Sequence, residues 1–177
     1  MKTIFSYGAI AGLLVGIPLF ALMVATAGQP PLTYGALIGY TTMLIALSTI
    51  FVAIKRQRDI DGGGVIRFWP ALGLGLGIAA VAGLIYVLCW EAALAVTQTD
   101  FIGDYAEAMI EQERAKGASA EALAKLRAEM DSFRTSYANP LFRLPMTFAE
   151  IFPVGVLVSL VSAGLLRNSR FLPARRG

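Results

Sequence analysis

The sequence contains no histidine and a single cysteine, Cys89, and these two shortages close off whole classes of chemistry. Ser/His triads, Cys/His dyads and His/Cys metal sites cannot be assembled from this chain alone. A lone cysteine forms no intrachain disulfide and reads as a small, polarizable packing residue. Charge is scarce as well, at 15 % of residues, where soluble domains carry about 25 %. The net charge of +3 is too small, and too tied to short loops, to argue for a nucleic-acid surface. What is left is an apolar chain, 56 % hydrophobic over 177 residues, which reads as one small domain dissolved in lipid. No enzyme activity, metal or cofactor is expected of it.

A membrane-crossing helix needs about 20 mostly apolar residues, because the hydrocarbon core is about 30 Å thick. Four stretches qualify: 4–27, 35–54, 68–96 and 145–166. The sequence therefore predicts an all-α integral membrane four-helix bundle. Between the first two stretches, Gly28-Gln29-Pro30-Pro31 reads as a tight turn, since two prolines cannot continue a helix. An alternative for the first stretch is a signal peptide, because Met1-Lys2 precedes an apolar run ending in Ala25-Thr26-Ala27. That run exceeds the usual h-region of about 7 to 15 residues, so it is read here as a span.

Basic residues set the expected orientation, since cytoplasmic loops retain Lys and Arg during insertion. The two ends and the loop 55–67 hold nine basic residues, Arg167, Arg170, Arg175 and Arg176 of the tail among them, and two acidic ones, Asp59 and Asp61. These parts are expected in the cytoplasm. The segment 97–143 dilutes six basic residues among eight acidic ones and is expected outside. Phe68 and Trp69 at one interface and Tyr86 and Trp90 toward the other fit aromatic anchors.

The polar segment is itself helical by pattern. Leu123, Leu126, Met130, Phe133 and Tyr137 alternate spacings of three and four, forming a seam. Phe101, Tyr105 and Met109 and the set Ile102, Ala106 and Ile110 recur every four. Gly117 separates the two halves, Ser119 suits an N-cap, and Asn139-Pro140 stops the second half. An extracytoplasmic helical hairpin between helices 3 and 4 is expected, its stripes packing on each other or on the bilayer.

Small residues predict where helices meet. Gly8, Gly12 and Gly16 form overlapping G-x-x-x-G units, a flat groove that lets another helix backbone approach. Gly73 with Gly77, and Ala79 with Gly83, repeat the pattern in the third span. Packing within one chain is favoured, because four helices must bundle in any case; a homo-oligomer or another membrane protein is the alternative partner beside the lipid bilayer. Thr41, Thr42, Ser48 and Thr49 in the second span are expected to bond their own backbone or a neighbouring helix.

Three ionisable residues stand out as a candidate intramembrane polar site: Glu150, Glu91 and Arg143. A carboxylate in a bilayer is costly, so each implies a polar cavity, a partner or an interfacial position. Counting about 1.5 Å per residue puts Glu150 about 24 Å from the inner end and Glu91 about 31 Å, the first inside the core and the second at its rim. Arg143 is the nearest basic candidate to Glu150 in sequence.

The stretches Gly39-Tyr40-Thr41-Thr42-Met43, Phe51 through Asp59, Ile66-Arg67-Phe68-Trp69-Pro70 and Asn139 through Phe171 together resemble an uncharacterised bacterial membrane family, domain of unknown function 4199. The words Leu144-Pro145-Met146-Thr147-Phe148 and Leu166-Arg167-Asn168-Ser169-Arg170-Phe171 carry the likeness, which extends over nearly the whole chain. It implies a small multi-spanning protein of the bacterial inner membrane and supplies no activity or functional residues. The expected role is a non-enzymatic structural or accessory membrane protein of unknown molecular function. The alternative is a small transporter or channel using Glu150 and Glu91.

Overall fold

The computed structural model describes residues 1–29, 32 and 34–173, so Pro30 and Pro31 of the expected turn and Arg175 and Arg176 of the tail lie outside the described residues. Seven α-helical segments follow in order: α1 Lys2–Ala25, α2 Gly35–Leu47, α3 Thr49–Arg56, α4 Phe68–Thr97, α5 Phe101–Ala115, α6 Ala120–Tyr137 and α7 Pro140–Leu166. No strand occurs among the described residues. Segments α2 and α3 continue through a wider turn, Gln57–Asp61, into one helical rod over Gly35–Asp61. That rod, α1, α4 and α7 are long and apolar enough to cross a membrane, which marks a membrane protein.

Helix α4 is the spine. Its register with α1 advances four residues at a time on both helices. A methyl added at Gly8 would lie 2.5 Å from Cβ of Val81, at Gly12 2.6 Å from Cβ of Ile85, and at Gly16 2.5 Å from Sγ of Cys89. One step back, Ile4 fills the space above Gly77, where an added methyl would lie 2.9 Å from its Cδ1. Each glycine receives the side chain opposite, so two backbones approach closely and gain dispersion contact without a water-driven force.

Gly73 departs from the favoured expectation that its groove is filled within the chain. A methyl there meets nothing within 4 Å. The ladder of four-residue steps explains why: α1 begins at Lys2 and offers no residue opposite Gly73.

A second face of α4 runs antiparallel to α7 through small residues. Methyls added at Gly75, Gly83 and Gly155 would meet Ser159 Oγ at 2.6 Å, Phe148 Cε2 at 2.7 Å and Ala79 Cβ at 2.6 Å. Ser159 can press on Gly75 because its hydroxyl is already spent on the Gly155 carbonyl at 2.7 Å. At this level the rod joins in, with Leu47, Ile50, Ile54, Ile78 and Ile151 all fully buried. Ser48 and Thr49 mark the α2/α3 junction by donating to the carbonyls of Ile45 and Ala46, at 2.6 and 2.7 Å; Thr42 does likewise to Ile38 at 2.8 Å. Such back-bonding satisfies hydroxyls in an apolar helix and bends it.

Two helix bounds differ from the sequence reading by more than two residues. The second span does not end at Ile54 but runs to Asp61. Its charged end is held in helical form by the Lys55–Asp59 ion pair and by Arg58, which is fully buried. Arg58 donates to Asp59 at 2.7 Å and to the carbonyls of Phe171 at 2.8 Å and Leu172 at 2.5 Å, binding the segment after α7 to this end. The fourth span starts at Pro140 rather than at Pro145. Asn139 caps it, its Oδ1 accepting from the Leu141 amide at 3.0 Å. Pro140 occupies the first turn, where a missing N–H costs nothing.

The hairpin follows the expected seam. In α6 the half-buried residues are Leu123, Leu126, Met130, Phe133 and Tyr137, and the rest are exposed. Ser119 caps α6 by accepting from the Ala122 amide at 3.2 Å, and Asp100 caps α5 by accepting from the Gly103 amide at 3.1 Å. Gly117 takes φ +84 between the helices, a conformation that suits a residue without Cβ.

Candidate functional site

Along α4 the residues facing the α2–α3 rod grow from Gly75 and Ala79 to Tyr86 and Trp90. Where they are small, Ile50 comes within 3.1 Å of a methyl added at Gly75. Where they are large, α2 stands off α4. The gap at the hairpin end is a cavity of about 430 Å³, within the range of small-molecule sites.

Its walls are mostly apolar. Leu19, Leu22 and Met23 come from α1, and Gly39, Tyr40 and Met43 from α2. Tyr86 and Trp90 of α4 form the opposite wall, and α5 brings Phe101, Asp104 and Tyr105 over the top. Glu150 lines the cavity from α7 and is exposed there rather than packed in protein. Its Oε2 accepts a 3.2 Å hydrogen bond from the Tyr86 hydroxyl. Two carboxylates, Glu150 and Asp104, therefore line a cavity to which the described residues contribute no Lys or Arg. Toward the loop Gly62-Gly63-Gly64, which follows the rod, Leu47, Ile50, Ile78 and Ile151 form a fully buried layer.

Beside the cavity lies a clamp. Arg143 does not reach Glu150; it donates from Nε to Glu91 Oε1 and from Nη2 to Glu91 Oε2, both at 2.6 Å. The third nitrogen, Nη1, donates to the Tyr137 carbonyl at 3.3 Å, and the guanidinium sits 5.7 Å from the Tyr137 ring centroid. The Tyr137 hydroxyl accepts from Trp90 Nε1 at 2.7 Å. Burial pushes the Tyr137 phenol above its ordinary range, with the Trp90 hydrogen bond acting in the opposite sense. Trp90 in turn meets the edge of Phe101 at 5.0 Å. The network joins α4, α6 and α7 and fixes the start of α5, and with it one wall of the cavity.

The family model described as "Protein of unknown function (DUF4199)" matches residues 6–168. The chain belongs to that family. No curated protein and no solved structure matches it. The DUF4199 match spans every residue of the cavity and of the clamp.

In this DUF4199 chain the three ionisable candidates divide between two sites: Glu150 in the cavity, Glu91 and Arg143 in the clamp. No group of residues among those described is arranged to hold a metal ion. Tyr86, Tyr40 and Arg58 were not marked as site residues by the sequence. Tyr86 and Trp90 share a helix face at spacing four, and the change on that face from glycine and alanine to large aromatics was the available signal. Arg58 carried no signal, because its burial depends on carbonyls more than a hundred residues away.

Proposed function

We propose that this protein is a non-enzymatic accessory protein of the bacterial inner membrane that binds a small molecule in the cavity at its hairpin end. The observation carrying this reading is Glu150, a carboxylate lining an apolar cavity with a tyrosine hydroxyl as its one side-chain partner among the described residues. A carboxylate at the depth of the hydrocarbon core is costly to retain unless water or a ligand reaches it. Both termini and the tri-glycine loop lie in the cytoplasm on this reading, because basic residues gather there, and the hairpin and the cavity mouth face outward. The bundle acts as a single chain, since the Gly8, Gly12 and Gly16 groove is filled by α4; Gly73, which meets none of the described residues, leaves room for a second copy or another membrane protein.

A transporter is the second reading, favoured by the same carboxylate. It asks the buried layer of Leu47, Ile50, Ile78 and Ile151 to open, and it loses Glu91 as a relay because Arg143 neutralises it. Proteoliposome uptake separates the two readings: a binding protein gives no uptake above protein-free vesicles. To test the outward cavity on which binding depends, Gly39→Cys in a Cys89→Ala background should react with an impermeant thiol reagent added outside, since Gly39 lines the cavity. Absence of that reaction, with Ser119→Cys reacting normally, would remove the outward cavity and this function with it.

A further inference from the structure

We propose that the cavity is a site for an amphipathic organic monocation, its ammonium group at Glu150 and its apolar part against Leu19, Leu22 and Met43. The inference rests on the binding reading above and names the ligand class. Charge comes first: Glu150 and Asp104 line the cavity with no Lys or Arg beside them among the described residues, so an anion is repelled and a cation attracted. Hydrogen bonding comes second. A carboxylate offers about four acceptor sites, and only the Tyr86 hydroxyl is seen to occupy one; an ammonium group brings up to three donors for the remainder.

Shape and lining narrow the class. A volume of about 430 Å³ is far more than a bare metal ion needs, and no group of three His, Cys, Asp or Glu gathers among the described residues. Hard cations require six or more oxygen ligands. The aromatic residues Tyr40, Tyr86, Trp90 and Tyr105 instead suit a cation with apolar substituents, which gains from ring faces and from apolar burial together. The ligand enters from the outer aqueous side, where the hairpin carries an acidic excess that raises the local concentration of cations.

The test uses the full chain in phosphatidylcholine nanodiscs and three probes of one shape: phenylbutylammonium, neutral phenylbutanol and anionic phenylbutyrate. Calorimetric titrations are corrected with empty nanodiscs. The ammonium should bind saturably and at least about tenfold more tightly than the alcohol, as expected for one charge-assisted hydrogen-bonded contact. Phenylbutyrate should not bind. In Glu150→Gln the ammonium should lose its advantage and fall to the affinity of the alcohol; a thermal midpoint equal to that of the wild type shows that the variant is folded. Equal binding of ammonium and alcohol by the wild type overturns the cation assignment and leaves a neutral apolar site. Saturable binding by none of the three overturns the cation assignment and the binding reading together.

Discussion

Arg143 and Glu91 meet in a two-pronged ion pair, both contacts at 2.6 Å, with side chains only 17 % and 27 % exposed. The pair joins the first turns of α7 to the far end of α4, and the Tyr137 carbonyl brings α6 into the same joint. Planar guanidinium and carboxylate groups match in this geometry in a way that a lysine cannot reproduce.

Removing one partner should cost more than removing both. Arg143→Met strands a half-buried carboxylate and should destabilise the fold by about 2 kcal/mol. Adding Glu91→Gln should recover part of that loss. Thermal unfolding in detergent for the two single variants and the double variant gives the coupling; strictly additive losses would show that the pair contributes nothing beyond its separate side chains.

The glycine ladder makes a contrast within one protein. Gly12→Ile drives a side chain into Ile85 and should cost about 1 to 3 kcal/mol, as overpacking does elsewhere. Gly73→Ile enters open space and should leave the thermal midpoint within error of the wild type. Equal effects of the two substitutions would disprove the register of α1 on α4.

Much of this architecture was legible in the sequence, because spans, caps and seams depend on neighbours in the chain. The α6 seam from Leu123 to Tyr137, the cap at Ser119 and the stop at Asn139-Pro140 are local patterns, and each sits in the structure where the pattern put it, whereas the cap that Asn139 gives to α7 was not expected. Gly73 has the correct spacing to Gly77 but meets no described residue of its own chain, because the helix that fills the groove does not extend to it. Arg143 stands as the nearest basic candidate to Glu150 in sequence because the two lie two turns apart; distance along a helix says nothing of Glu91 on the neighbouring one. The cavity was not legible at all, since it arises from the change of residue size along α4 acting on a helix that packs from elsewhere.

The Tyr137 phenol gives a pH signature. Burial raises its folded-state pKa, so the native state holds its proton after the unfolded chain has lost it. The stability from this group is therefore fully present below about pH 10 and is lost as pH rises beyond it. The thermal midpoint of the wild type should fall more steeply above about pH 10 than that of Tyr137→Phe. Parallel curves for the two proteins would show that Tyr137 does not titrate differently on folding.

Arg58 should govern the segment after α7. Arg58→Met removes the donors to the Phe171 and Leu172 carbonyls, and Phe171 loses its anchorage against Phe51, now edge-on at 6.5 Å. Limited proteolysis of inverted membrane vesicles should then cleave within residues 168–173 faster than in the wild type. Arg58→Lys should behave almost as Arg58→Met, because a single ammonium cannot span both carbonyls and Asp59. Cleavage at the wild-type rate in both variants would mean that the segment is held by apolar contacts alone.

The account turns on Glu150 lining a cavity open to the outside of a four-span bundle, and cysteine accessibility tests this most directly. Single cysteines at Glu150, Ser119 and Gln57, each in a Cys89→Ala background, are exposed on intact cells to a membrane-impermeant thiol reagent. The predicted result is reaction at Glu150→Cys and Ser119→Cys and none at Gln57→Cys. Reaction at Ser119→Cys with none at Glu150→Cys would place the carboxylate away from water, and reaction at Gln57→Cys would invert the protein in the membrane; either contradicts the account.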